Sequence, residues 1–420
     1  MRIISSIKYD TDDISRIAIS ALVLISCYSV AVFSGLWKYT LVLSGMLLLC
    51  QLIIERELPS KIAFCLMILF FVNFLSTLLN GNLTIVLIKL YAAAVVYVLW
   101  CDLYCRKYTG IFALSHIVIV GMIIVIQLFF QIYDPDAFGL TKANNMVNFL
   151  CSDNMTGYYI VPFMVLVAVC GLRMRSRMTV WAWILIAVSL GSILKSESGT
   201  CIIGGCSFAC LMIVCLLFRK KFRFPMTVLY IVYLAFLAGI LFFSIQNYAA
   251  DFLLNVLGKS VTFSGRTYIW ELVPSYIAKK PLLGYGTMTG NRAEVIWIGS
   301  DCEAKWMRSQ YWSAHNYFFS ILIEGGIVQM LSYIAVIITA TRSLMKGKDN
   351  MVGNIIKVGI FAMFIMYTAE GELLIPAQYL IFILAFYNDK FARTQGMQTK
   401  YGTDPALICE RGALREGYKV

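Results

Sequence analysis

The sequence predicts an all-α polytopic membrane protein with about 12 transmembrane helices and one large extracytoplasmic loop carrying short amphipathic helices. Three observations predict it. Of 420 residues, 60% are hydrophobic and 14% charged, and the mean hydropathy is +0.78, whereas soluble globules average about 45–50% apolar and about 25% charged residues. The apolar residues are gathered into runs near the roughly 20 residues that a helix needs to cross a bilayer. One long polar interruption, 245–316, breaks this pattern late in the chain.

Taken in order, the runs are 16–34, 40–54, 62–79, 84–100, 111–133, 158–172, 179–194, 200–218, 226–244, 317–340, 352–369 and 373–387. Residues 1–13 carry mixed charge without a small-residue cleavage site, and the run after Arg16 is long enough to span. The first run is therefore expected to stay in the membrane as the insertion signal. The chain divides into N-terminal transmembrane helices over 1–244 (about nine), the large loop over 245–316, C-terminal transmembrane helices over 317–388 (about three) and a polar tail over 389–420. No internal repeat suggests the inverted halves of many transporters.

Cytoplasmic loops accumulate Lys and Arg. The basic segments 56–61, 106–107, 173–177, 219–223 and 342–348 alternate with the poorly charged 35–39, 81–82, 134–154, 195–200 and 370–372. Both termini are thus expected in the cytoplasm, and 245–316 outside. The formal net charge of +12 follows from this topology, because the basic residues fall in short clusters between apolar runs. No nucleic-acid partner is expected. The chain has 13 cysteines, and Cys65, Cys170, Cys201, Cys206, Cys210 and Cys215 lie in apolar runs, where they read as small helix-packing residues. No C-x-x-C pair or Cys/His ligand spacing occurs, so neither a metal nor a cofactor is expected. Cys151 and Cys302 fall in outer segments, and a disulfide between them is the alternative to two free thiols.

Residues that carry chemistry concentrate in the loop. Ser264-Gly265-Arg266 opens a stretch in which Ile269, Leu272, Val273, Tyr276 and Ile277 recur at helical spacing, an amphipathic helix lying on or against the membrane body. Arg266 stands at its start. A guanidinium keeps its charge and binds phosphate with two prongs, although a surface Arg near lipid headgroups is the alternative. Pro281 ends this helix, and Gly284 and Gly286 permit a tight turn around Tyr285. A potassium filter is excluded, since Leu-Leu precedes Gly-Tyr-Gly and the turn follows an amphipathic helix. Tyr285, Arg292 and Asn316 are candidate substrate-binding residues.

Of the two histidines, His116 lies in an apolar run and reads as a satisfied interior polar group. His315 stands where the loop re-enters the membrane, after Trp306, Tyr311 and Trp312, which suit an interfacial belt. Imidazole titrates near neutrality, which makes His315 the candidate general base; a helix-start residue bonded to Asn316 or Ser313 is the alternative. A second outer segment, 134–157, holds Asn144, Asn145, Asn148, Ser152, Asp153, Asn154 and Thr156. That polar density suits a hydroxyl-rich ligand, with Asn148 a candidate substrate-binding residue, or simply a solvated loop.

Together, Ser-Gly-Arg-(x3)-Trp, Lys-Pro-Leu-Leu-Gly-Tyr-Gly and Ala-His-Asn-Tyr of one late outer loop, with Glu-Gly-Gly-Ile on the following helix, resemble the O-antigen ligase and O-antigen or capsular polysaccharide polymerase superfamily (the Wzy/WaaL type). The order of Arg266, Trp270, Pro281, Gly284, Gly286, His315, Asn316, Glu324 and Gly326 carries the likeness. It implies inverting, metal-independent glycosyl transfer with a lipid pyrophosphate as leaving group. His315 would deprotonate the acceptor hydroxyl, Arg266 hold the pyrophosphate, and Asn316 support the histidine. One departure is that members often carry Ser-Arg at the start of a middle span, where this chain has Lys195-Ser196-Glu197; Lys195 then replaces that charge, or pairs locally with Glu197.

The expected function is a polymerase of undecaprenyl-pyrophosphate-linked repeat units for capsule, exopolysaccharide or O-antigen, in the inner membrane of a bacterium. A ligase moving a finished polymer to another acceptor is the alternative within the superfamily. From a different class, a flippase or transporter of lipid-linked oligosaccharide would need polar groups along a midmembrane path, and the spans hold few. The expected partners are the lipid-linked oligosaccharide, the bilayer, a chain-length regulator and a repeat-unit flippase.

Overall fold

The structure, a computed structural model, describes residues 11–28, 36–134, 149–173, 177–218, 225–243, 245–249, 255, 266–287, 314–346 and 350–392. Its helices in chain order are α1 (Thr11–Cys27), α2 (Trp37–Ile54), α3 (Lys61–Leu79), α4 (Ile85–Lys107), α5 (Thr109–Tyr133), α6 (Thr156–Gly171), α7 (Val180–Lys195), α8 (Gly199–Phe218), α9 (Met226–Phe243), α10 (Arg266–Lys279), α11 (Tyr317–Lys346), α12 (Met351–Tyr367) and α13 (Leu380–Phe386). One two-residue antiparallel pairing, β1 (Leu172–Arg173) with β2 (Arg177–Met178), closes the turn between α6 and α7. The protein is an all-α polytopic membrane protein. Among the described residues, 7 helices are long and apolar enough to cross a membrane, and four shorter apolar helices accompany them.

Among the described residues, each apolar run read from the sequence overlaps one helix other than α10. The ends follow local chemistry. Ser60 and Thr84 accept from the Ala63 and Leu87 amides at the starts of α3 and α4, and Asn350 accepts from Gly353 N at 2.7 Å at the start of α12. α4 runs on to Lys107, beyond the apolar run ending at 100, because Arg106 and Lys107 pair with Glu57 and Glu55. Apolar side chains such as Val42, Leu49, Phe71, Phe129 and Phe236 stay exposed on outward faces, where only lipid can cover them.

α6 is deeply enclosed, every residue of it but Cys170 being buried, and it packs against α7, α8 and α12. At one end of the bundle the buried Asp102 accepts from Ser60 N at 3.0 Å and Tyr387 Oη at 2.6 Å, tying α3 and α4 to the chain after α13.

α11 departs from the single span expected over 317–340. Gly326 has φ 64° and ψ −161°, so the helix breaks there. The loop segment after α10 fills the break as an added strand would. Tyr285 N donates to Ile323 O at 2.7 Å, Gly286 N to Glu324 O at 2.8 Å, and on the far side Ile327 N donates to Pro281 O at 2.8 Å and Val328 N to Leu282 O at 3.2 Å. Carbonyls and amides orphaned by the break are thus satisfied, as an apolar setting requires. Asn80, Asn82 and Ser76 from the end of α3 hold the same segment through the carbonyls of Gly284, Tyr285 and Leu283. The Gly-Tyr-Gly and Glu-Gly-Gly motifs are therefore two halves of one joint.

The joint gathers some of the few polar groups of the spans. Asn73 of α3 donates to Glu324 Oε2 and to Gln329 Oε1, both at 3.1 Å, and Thr287 Oγ1 donates to Glu324 Oε2 at 2.9 Å. His116 sits in a π turn within α5, where its Nε2 meets Tyr97 Oη at 3.1 Å, the satisfied interior histidine expected. Each of these polar groups has a hydrogen-bond partner within the bundle.

Candidate active site

α10 shows why Arg and Trp stand four residues apart. That spacing places both on one face of a helix. Ile269, Trp270, Val273 and Tyr276 are buried against Ile240, Tyr285, Ala314 and Ile323, so the apolar face of α10 lies on the protein body. From this face Trp270 Nε1 donates to Ala314 O at 2.9 Å, fixing the residue before His315. One turn earlier, the Arg266 guanidinium pairs with Glu370 Oε1.

His315 itself adopts φ 47°, in the left-handed region that few side chains occupy. Such a conformation costs of order 1–3 kcal/mol and persists where the surroundings enforce it. Here Trp270 holds one side and Asn316 the other. The Asn316 amide, 1% exposed, donates to Thr368 O at 2.9 Å, while its Oδ1 accepts from Phe318 N and Phe319 N, both at 3.1 Å, and so caps α11. His315 Nδ1 lies 3.2 Å from Glu370 Oε2.

Glu370 is the residue that sequence reading missed. It is 5% exposed and its two oxygens face two different partners, the Arg266 guanidinium and the His315 imidazole. Burial alone would raise its proton affinity, but Arg266 and His315 outweigh burial and hold it below the usual carboxylate range. An ionised Glu370 accepting from Nδ1–H fixes the imidazole tautomer with the basic lone pair on Nε2. The arrangement can position a proton acceptor and a fixed cation beside one substrate. The available signal was a carboxylate next to an apolar run in an otherwise poorly charged loop, and ionisable residues there mark function by default.

The remaining candidates are placed differently. Asn316 is enclosed, with both ends of its amide occupied by backbone, so it supports the turn rather than presenting groups to a ligand. Tyr285 is 8% exposed and donates its hydroxyl to Tyr276 O at 3.1 Å, with its ring in the cluster beneath α10. Its place is in the joint. Lys195 is exposed at the end of α7 and forms no hydrogen bond or ion pair among the described residues, Glu197 included. Glu197 has φ 55°. Arg292 and Asn148, like Cys302, lie outside the described residues. Cys151 is a free thiol near Thr156 Oγ1, at 3.7 Å.

Residues 184–334 match the family model described as O-antigen ligase. That segment contains Lys195, Arg266, Trp270, His315 and Asn316, while Glu370 lies beyond it. A segment of 172 residues is 24% identical to the exopolysaccharide production protein ExoQ of Rhizobium meliloti (strain 1021), covering 37% of this chain and 38% of that protein. The chain thus spans less than half of the length of the relative it matches. Through residues 184–334 the chain is thus similar to the O-antigen ligase family, and the likeness to ExoQ stands beside that similarity.

Proposed function

We propose that the chain is a membrane glycosyltransferase that joins undecaprenyl-pyrophosphate-linked repeat units into an exopolysaccharide, capsular or O-antigen chain. In this reading it works at the outer face of a bacterial cytoplasmic membrane, with both termini inside. The observation that carries the reading is the Glu370 carboxylate bridging Arg266 and His315 at one end of the helix bundle.

The acceptor sugar hydroxyl attacks the anomeric carbon of the donor. Its proton passes to His315 Nε2, and the bond from the anomeric carbon to the diphosphate oxygen breaks, with the electron pair leaving on the diphosphate. Glu370 stabilises the imidazolium that forms, and Arg266 stabilises the charge gathering on the leaving group. Before the donor binds, Glu370 neutralises Arg266. The diphosphate, which carries more charge than a carboxylate, competes for the same guanidinium. Lys195, Arg292 and Asn148 complete the proposal as groups that contact the donor or its sugars, Lys195 as a point charge.

Two findings support transfer of lipid-linked glycan: the family description and the exopolysaccharide role in the relative's name. The first also favours a second reading, a ligase that moves a finished polymer to another acceptor. A null strain separates them, because single repeats accumulating on lipid indicate a polymerase and full-length unattached polymer a ligase. The test of the shared chemistry uses purified protein in liposomes with no ion gradient. Longer lipid-linked glycan and released undecaprenyl diphosphate are expected; relocation of unaltered glycan across the bilayer would replace this reading with transport. A chain-length regulator and a repeat-unit flippase are the partners such a polymerase would work beside.

A further inference from the structure

The Glu370 loop carries a second carboxyl that the bridge does not use. Glu372 follows Glu370 with Gly371 between them, and Gly371 is pressed against the start of α11. A Cβ there would meet Ser320 Oγ at 2.7 Å and the Asn316 carbonyl carbon at 2.8 Å. The turn therefore abuts the residue next to His315. Its other side is also fixed, since Gln378 Nε2 donates to Glu372 O at 2.7 Å and Tyr379 Oη to Leu373 O at 2.6 Å.

Glu372 is a half-buried residue whose carboxyl has no hydrogen-bond or ion-pair partner among the described residues. The charged and titratable groups acting on it are acidic: Glu370 in its own loop and Glu324 from α11, with the Tyr158 phenol of α6 nearby. Arg266 and His315 are already taken by Glu370. Burial first, then the charges of Glu324 and Glu370, push Glu372 up to about 8. Two buried polar atoms of the same neighbourhood, Tyr158 Oη and Gln378 Oε1, also lack a partner among the described residues. Buried polar atoms left unpaired are costly, so a set of them beside an unpaired carboxyl marks a place that a hydroxyl-bearing ligand fills. The acidic surroundings repel a diphosphate.

We propose that Glu372 is a further substrate-binding residue, its carboxyl hydrogen-bonded to a hydroxyl of the acceptor glycan next to the one that His315 deprotonates. This rests on the glycosyl-transfer reading. Charge then sorts the two substrates, with the donor diphosphate on the Arg266 side and the uncharged acceptor sugar on the Glu372 side.

The test supplies lipid-pyrophosphate-linked glycan extracted from the native strain to wild type, E372A and E372Q in liposomes. Transfer, read as longer glycan, and hydrolysis, read as free glycan, are followed separately from neutral to alkaline pH. Losing one hydrogen bond to the acceptor raises the half-saturating glycan concentration for E372A roughly tenfold. It also shifts product toward hydrolysis, because water replaces the displaced acceptor. E372Q, isosteric with the protonated acid, keeps transfer at neutral pH and lacks the decline that wild type shows as pH rises through about 8. Wild-type saturation and product ratio in E372A, or a wild-type alkaline decline in E372Q, overturns the proposal. Should E372A not fold, the E372Q profile decides alone. A wild type that neither transfers nor hydrolyses overturns the functional reading and this one with it, whereas an active wild type with indifferent Glu372 variants overturns only this one.

Discussion

Replacing Gly326 with Ala tests whether the break in α11 is built into the protein. At φ 64° and ψ −161° the backbone occupies a region essentially restricted to glycine. An added Cβ would strike the Leu282 carbonyl and approach Pro281 O at 2.6 Å. Relief requires either a strained alanine, at about 1–3 kcal/mol, or withdrawal of the Pro281 and Leu282 carbonyls. Withdrawal loses the bonds from Ile327 N and Val328 N, each contributing about 0.5–1.5 kcal/mol. The expected destabilisation is therefore at least about 1 kcal/mol and about 4 kcal/mol if both effects combine. Thermal unfolding in detergent measures it, with Gly110→Ala as control, since nothing lies within 4 Å of a Cβ there. Transfer activity should fall with stability, because the segment continues from α10 and so helps place Arg266. A Gly326→Ala protein with the melting temperature and activity of wild type would refute the role given to the joint.

Two further outcomes follow from the site. Glu370→Gln leaves Arg266, 13% exposed at its side chain, without its charge partner, and breaking such a buried pair costs about 3–5 kcal/mol. Because Glu370 is held below its ordinary value, its contribution to stability is present above about pH 4.3 and fades as pH falls through the lowered value. The variant should lack that acid-sensitive component in a pH series of unfolding curves. Trp270→Phe keeps the ring but removes the donor to Ala314 O, so it should cost about 1 kcal/mol of stability and lower turnover more than glycan binding, read as separate changes in kcat and KM.

The architecture was legible because membrane insertion writes itself into contiguous sequence. Runs of apolar residues sufficed to locate the helices of the bundle, and the recurrence of Ile269, Val273 and Tyr276 sufficed for the buried face of α10. Arg266 and His315 were legible as residue types with distinctive chemistry in one polar loop. Glu370 was not, because it lies 55 positions after His315 in a short loop and gains its role only when the helices bring the two together. Hydropathy likewise cannot see the break at Gly326, where both flanks remain apolar and only a positive φ separates them. Asn316 and Tyr285 read as binding groups because they are polar and lie beside the motif. The fold instead uses their polar atoms on Thr368, the start of α11 and Tyr276.

The most direct measurement of the central claim is single-turnover transfer by His315→Ala and Arg266→Lys proteins, in liposomes, with lipid-pyrophosphate-linked glycan. Removal of the proton acceptor should abolish transfer while leaving donor binding intact. Lysine at 266 keeps the charge but loses the two-pronged contact, so it should weaken donor binding and slow release of the lipid diphosphate. A folded His315→Ala protein that elongates glycan at the wild-type rate would contradict the account.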